Sequence, residues 1–130
     1  MSIIKSIIVV LGISTVISLG ACTTKPILNV NDAPVLTTKS LDAVQVRGAI
    51  VAAGVALGWQ VVDVNPGVLR GTLKLRDHTA IVEIPYTTGK YSIIFKSGDN
   101  LGEKDGQIHK NYNGWVQNLD NRIKAELTRL

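Results

Sequence analysis

Residues 68–97 read VLRGTLKLRDHTAIVEIPYTTGKYSIIFKS, and this stretch decides the fold of the chain. It holds three runs in which apolar and polar side chains alternate, as they do in strands with one buried face. Asp77-His78 and residues 87–90 separate the runs, and both separations are short enough for antiparallel hairpins. We therefore predict three consecutive strands, Val68–Arg76, Thr79–Tyr86 and Tyr91–Ser97.

The turns also predict which residues lie opposite one another. With a two-residue turn at Asp77-His78 and a four-residue turn at 87–90, the large apolar side chains of all three strands fall on one face. The sheet would then be apolar on one side and polar on the other. The predicted pairs are Leu75 with Ala80, Leu73 with Val82, Gly71 with Ile84 and Leu69 with Tyr86, then Tyr86 with Tyr91, Ile84 with Ile93 and Val82 with Phe95.

A fourth predicted strand, Trp59–Val64, precedes these three and is joined to them by Asn65-Pro66-Gly67. A turn of this composition allows either set of alternate side chains to face the core. The register of the first hairpin therefore stays open.

Helical periodicity marks the segments on both sides of the strands. Before them, Ser40 is the predicted N-cap and Gly58 the predicted end of a helix whose small residues let it lie close to the sheet. After them, an apolar stripe from Ile108 to Leu127 predicts an amphipathic helix. The stripes are Val46, Ile50, Ala53 and Leu57 in the first helix, and Ile108, Tyr112, Trp115, Leu119, Ile123 and Leu127 in the second.

This order of elements predicts an α+β fold. A four-stranded antiparallel meander, flanked in sequence by two helices (α-β-β-β-β-α), would form a two-layer sandwich with both helices on one face. Residues 40–130 are enough for one such domain.

The N-terminus has the features of a secretory signal, with Lys5, an apolar run from Ile7 to Leu19 and small residues before Cys22. Leu19-Gly20-Ala21-Cys22 resembles the lipobox of bacterial lipoproteins. The resemblance implies cleavage before Cys22 and acylation of that cysteine, the only one in the chain, with palmitate-like chains that hold the protein in a lipid bilayer. The residue after the cysteine is not aspartate, which favours the outer membrane, facing the periplasm. Two alternatives stay open: an uncleaved anchor, because residues 6–24 carry no charge, and an unmodified thiol.

Residues 22–39 are polar, contain Pro26 and Pro34 and show no sustained period. We predict that they form a lipidated tether between the signal peptide, 1–21, and the domain, 40–130; the alternative for Ile27 to Val30 is a place along an edge of the domain. Removing residues 1–21 takes away Lys5 and leaves 13 Lys and Arg against 10 Asp and Glu. This mild cationic excess suits contact with anionic lipid, lipopolysaccharide or peptidoglycan. The secretory signal argues against a nucleic-acid partner, because it directs the protein out of the cytoplasm.

The sequence contains no residue pattern with the spacing of a known catalytic, metal or cofactor site. We therefore assign no catalytic residue, no metal ligand and no cofactor. His78 and His109 are the only histidines, and their ordinary roles lie in turns and helix caps.

Two surfaces are candidates for binding. The first is the polar face of the sheet, where Arg70, Lys74, Arg76 and Lys96 would lie together; charge for solubility alone is the alternative explanation. The second is an aromatic and amide edge, in which rings stack and amides form hydrogen bonds; for Tyr112 and Trp115 the alternative is a place in the core. This edge comprises His109, Tyr112, Asn113 and Trp115.

A further resemblance covers most of the chain after Cys22. The order of Gly58-Trp59, Ile84-Pro85-Tyr86, Tyr91-Ser92-Ile93 and Ile108-His109, followed by Tyr112-Asn113 and Trp115-Val116, is similar to that of small uncharacterised proteobacterial lipoproteins. The resemblance implies a fold and a location, and no reaction.

From these observations we expect a periplasm-facing lipoprotein without enzymatic activity, which binds an envelope component or a partner protein through the polar sheet face. Two alternatives remain open. One is a small envelope hydrolase that uses His78 or His109, and the other is an accessory subunit of an envelope assembly machine.

Overall fold

The computed structural model describes residues 23–130, together with Gly12. The predicted signal peptide, except for Gly12, and the predicted lipidation site Cys22 lie outside the described residues. The elements in chain order are β1 (Thr24–Pro26), β2 (Val30–Pro34), α1 (Ala43–Ala56), β3 (Gln60–Asn65), β4 (Val68–Leu75), β5 (His78–Pro85), β6 (Lys90–Asp99), β7 (Gln107–His109) and α2 (Lys110–Thr128).

The fold is α+β, with an antiparallel five-stranded sheet in the order β2-β6-β5-β4-β3 and two helices. The four predicted strands correspond to β3 to β6. The prediction of a four-stranded sheet missed β2, which lies at the edge against β6, and also a separate two-stranded ladder of β1 and β7. Both extra strands in the N-terminal half come from residues predicted to be tether, because polar segments with proline can still pair at sheet edges.

The predicted register of the β5–β6 hairpin is confirmed by two pairs, Tyr86 with Tyr91 and Val82 with Phe95. In the β4–β5 hairpin the predicted register is wrong by two residues. The turn is Arg76-Asp77, so Leu73 lies opposite Ala80 instead of Val82. Because side chains alternate with a period of two, this shift leaves every residue on its predicted face.

Contacts from a distant loop accompany this turn. Asn100 donates a side-chain hydrogen bond to Asp77 over 2.7 Å, and its carbonyl oxygen lies 2.7 Å from His78 Nδ1. Arg76 takes a positive φ of 57°, an unfavourable angle for a residue with a side chain. The turn position therefore depends on tertiary contacts as well as on local preference.

The register of the first hairpin is now determined. Pro66-Gly67 forms its turn, with Gly67 at φ 75°, and a bulge at Val64 changes the parity of β3. Val61 lies opposite Gly71, and Trp59 is buried over Gly71, where an added Cβ would stand 3.2 Å from the indole ring.

Both helices pack on the apolar face of the sheet and on each other. The Phe95 and Tyr112 rings join β6 to α2 in an edge contact with centroids 5.2 Å apart. The Tyr91 hydroxyl donates to Asp120 of α2, and burial together with this hydrogen bond raises the pKa of Tyr91. The fully buried large side chains are Tyr91, Tyr112, Ile50, Leu69, Ile84, Ile93, Leu101, Ile108, Leu119, Ile123, Leu127 and Val46.

The start of α1 differs from the prediction. Its N-cap is Asp42, not Ser40; Asp42 accepts a hydrogen bond from the Gln45 amide, and the Gln45 side chain accepts one from the Asp42 amide. This capping box satisfies two amides that the helix leaves unpaired. Arg47, one turn later, pairs with Asp63 of β3, and this hydrogen bond holds the pKa of Asp63 below its ordinary value.

Gly54 explains how α1 approaches the sheet. A Cβ at this position would stand 2.5 Å from a Val61 methyl group, whereas a Cβ at Gly48 would meet nothing within 4 Å. The predicted close packing therefore rests on Gly54 and does not require Gly48.

We predict that Gly54→Val destabilises the domain while the matched Gly48→Val does not. Overpacking at the helix–sheet contact should lower the free energy of unfolding by about 1–3 kcal/mol. At Gly48 the loss of glycine flexibility should leave stability unchanged or slightly raised. Urea unfolding of residues 23–130 measures both, and equal effects at the two positions would contradict the assignment of the close contact to Gly54.

Candidate functional site

The side of the sheet away from the helices, which we call the outer face, carries three of the four predicted basic residues, Arg70, Lys74 and Lys96. Arg70 and Lys74 project from β4 at alternate positions, and Arg76 occupies the turn that follows. Lys96 belongs to a bulge in β6, where Ile81 pairs with Ser97 while Val82 pairs with Phe95. The extra residue brings the Lys96 ammonium within 3.8 Å of Glu83.

Glu83 is shared by two of the four cations. It accepts a hydrogen bond from Arg70 over 3.2 Å and also lies close to Lys96. Lys74 and Arg76 have no ion-pair partner among residues 23–130. The outer face is less positive than the sequence suggested, because Asp99 of β6 also lies on it, opposite Thr79.

Between these charges the outer face is aliphatic. The ladder aligns Arg70, Glu83 and Ile94 across three strands, and places Thr72 beside Ile81 in the next row. Both isoleucines are only partly buried. At the β3 edge of the first row Val62 is 46% exposed. The Arg70–Glu83 pair lies between Val62 and Ile94, so aliphatic and charged side chains alternate across this face, a mixed composition that protein-binding surfaces share.

The structure separates the four residues of the predicted aromatic and amide edge. Tyr112 is fully buried in the core, as its alternative explanation held, and burial raises its pKa. Its hydroxyl has no hydrogen-bond partner in the part of the chain that the structure describes. His109 caps α2 by accepting a hydrogen bond from the Asn111 amide. Trp115 is half-buried.

Asn113 holds the N-terminal segment. Its Oδ1 accepts from the Leu28 amide over 3.0 Å, and its Nδ2 donates to the Pro26 carbonyl over 2.8 Å. The Asn113 side chain thus supplies the two hydrogen bonds that a backbone partner would otherwise make where the chain leaves the β1–β7 ladder. The sequence offered only a weak signal for this role, an asparagine early in a helix, because its partners lie more than 80 residues away.

His78 and His109 come together although 31 positions separate them in sequence. Their ring centroids are 5.3 Å apart, and the Trp115 ring centroid lies 6.1 Å from that of His78. The Nδ1 atom of each imidazole already has a hydrogen-bond partner, which is the Asn100 carbonyl for His78 and the Asn111 amide for His109. Across the described residues, no group of three or more His, Cys, Asp or Glu side chains is placed to hold a metal ion.

A cleft of about 330 Å³ lies at the end of α2. Its lining combines two exposed leucines, Leu36 and Leu130, with Thr37, Thr38 and Thr128. The cleft stands apart from the outer face because Thr128 and Leu130 lie at the end of α2, on the helical side of the sheet.

The comparisons with known proteins give no relative for this arrangement. No protein-family model, no curated protein and no solved structure matches the chain. Within the described residues, neither helix is long and apolar enough to cross a membrane.

We predict that Asn113→Ala loosens the N-terminal segment. Loss of both hydrogen bonds should lower the free energy of unfolding by about 2 kcal/mol, at roughly 1 kcal/mol for each. The matched control is Asn121→Ala, at an exposed position of α2. Amide hydrogen exchange provides the local readout: Leu28 should lose protection in Asn113→Ala while β5 keeps it, and unchanged protection at Leu28 would refute the role of Asn113.

Proposed function

We propose that this protein is a lipid-anchored envelope module that binds a partner protein through its outer face. The observation that carries the proposal is that three aliphatic side chains, the exposed Val62 and the partly buried Ile81 and Ile94, lie among the charges of a sheet face away from both helices. Apolar side chains interspersed with charged ones have the composition of a protein interface.

The anchor in this proposal is Cys22, acylated after removal of residues 1–21, and the compartment is the periplasmic side of the outer membrane. The support is the sequence Leu19-Gly20-Ala21-Cys22 behind an apolar run. Two or more acyl chains on one residue bind a bilayer far more durably than a single chain does.

A second candidate function is binding of an anionic envelope component, such as lipid head groups, lipopolysaccharide or peptidoglycan. Lys74 and Arg76 favour it, because neither is paired with a carboxylate among residues 23–130. We do not carry the hydrolase alternative further, because the contacts of His78 and His109 are accounted for by the turn and the helix cap that they stabilise.

We predict that a photo-crosslinking residue at Thr72, on the outer face, captures a discrete protein partner in intact cells. The double variant Ile81→Thr with Ile94→Thr should abolish the product, since losing a central interface contact costs about 2 kcal/mol or more in binding. Threonine keeps the β-branched shape that the strands favour. Val44→Thr, which alters an exposed valine on α1, is the matched control and should leave the product unchanged.

Reversal of charge separates the two candidate functions. If the partner is a protein that contacts the aliphatic residues of the outer face, changing Arg70, Lys74 and Lys96 to glutamate should alter the salt dependence and the association rate more than the crosslinked product itself. If the ligand is an anionic component, the same triple variant should abolish salt-sensitive amide shifts in an NMR titration of residues 23–130, while the isoleucine variants should retain them. Crosslinks from Asn121 but none from Thr72 would contradict both candidates.

The anchor gives a separate prediction. Cys22→Ser should move the protein from the membrane fraction to the soluble fraction of the periplasm and remove the lipid mass from its N-terminal peptide. Mass spectrometry of that peptide provides the measurement. An unmodified Cys22 thiol in the wild-type protein would refute the anchor without touching the outer-face proposal.

A further inference from the structure

The N-terminal segment begins as a fixed part of the domain. The Lys110 amide donates to the Thr23 carbonyl over 2.9 Å, and β1 pairs with β7 directly after it. The Ile27 amide donates to the Gly106 carbonyl over 2.9 Å, and Asn113 holds the next residues. The chain is therefore held against the domain from its first continuously described residue.

Because of these hydrogen bonds, the N-terminal segment is not the flexible linker that the sequence predicted. A flexible tether of residues 23–39 would have a root-mean-square span of roughly 23 Å. Instead, the Thr23 carbonyl is hydrogen-bonded to the first residue of α2, so no flexible linker separates residue 23 from the domain surface.

One end of the domain surrounds this point. It consists of the Arg76-Asp77 turn, the loop from Asn100 to Gly106 and the first turn of α2. The His109 amide donates to the Leu101 carbonyl, and the imidazoles of His78 and His109 are in contact range. We call this the anchored end. Its exposed charges are mixed: Lys25, Arg76, Lys104 and Lys110 stand beside Asp77, Glu103 and Asp105.

The long elements run away from this end. From His109, α2 extends about 28 Å, and β4 and β5 extend about 27 Å from the Arg76-Asp77 turn. The far end holds the Pro66-Gly67 turn and residues 87–90, which are joined to each other through the hydrogen bond from Tyr86 to Gly67.

We propose that the anchored end lies directly against the lipid head groups, with the strands standing away from the bilayer and the outer face turned sideways into the periplasm. This inference rests on the proposed acylation of Cys22. Because the charges at the anchored end nearly balance, they give little net attraction to the bilayer. The covalent anchor is therefore what orients the domain. A partner on the outer face would then meet Arg76 next to the membrane and Arg70 farther from it.

The test uses the full lipidated chain in vesicles of phosphatidylethanolamine and phosphatidylglycerol. Acylation consumes the only native thiol, so an introduced cysteine is the single labelling site. Glu103→Cys labels the anchored end and Thr88→Cys the far end, both at exposed positions. Energy transfer to an acceptor lipid should be several-fold more efficient from residue 103, because the two sites differ in height by about 25 Å.

The N-terminal peptide mass, measured on the same samples, separates two failures. Equal transfer from both sites in a lipidated protein would overturn the orientation and leave the anchor intact. A mass without lipid would overturn both. Adding Asn113→Ala should bring the two efficiencies closer by freeing the segment, whereas Asn121→Ala should not; a difference that survives in Asn113→Ala would show that the Asn113 contacts are not what orients the domain.

Discussion

The structure depends on one constraint: the sheet has a single apolar face, and both helices must cover it. Leu69, Ile84 and Ile93 lie on that face and are fully buried beneath α1 and α2. Burial of a large aliphatic side chain contributes about 1.5–3 kcal/mol, so these residues and the other buried side chains of this face supply much of the stabilisation of the domain. Gly54 allows α1 to approach, and the Phe95–Tyr112 contact sets α2 against β6.

With both helices on one side, the outer face is left for other purposes. Its charges are partly satisfied within the sheet, because Glu83 serves Arg70 and Lys96 together. Exposed ion pairs of this kind contribute little to stability. The face also carries the aliphatic side chains of Ile81, Ile94 and Val62 among these charges. These aliphatic residues shift the proposal from an anionic ligand towards a protein partner.

The N-terminal segment links the fold to the proposed anchor. Its strands add little core, yet β2 covers the β6 edge of the sheet and β1 closes the ladder with β7. Side chains supply hydrogen bonds where the backbone ladder is irregular, as Asn29 does for the Phe95 amide and Ser92 for the Asp32 amide. A lipid anchor at this end would be attached to a structured segment of the domain instead of to a flexible linker.

The sequence by itself determined the presence of both helices, the four strands β3 to β6 and the face on which each β4 and β5 residue lies, whereas the parity of β3 and the bulge in β6 came from the tertiary structure. Alternation with period two and helical spacing are local properties, so they survive even the two-residue error in the β4–β5 register. Only the tertiary structure decided which histidines meet, where Asn113 binds and whether residues 23–39 hang free or pair. Those outcomes depend on contacts between residues more than 20 positions apart, and short polar segments carry no periodic signal that identifies such partners. Arg70, Lys74 and Lys96 lie on the outer face while Arg76 lies in the turn after β4, and the contacts of Arg70 and Lys96 with Glu83 depend on the cross-strand register and the bulge at Lys96.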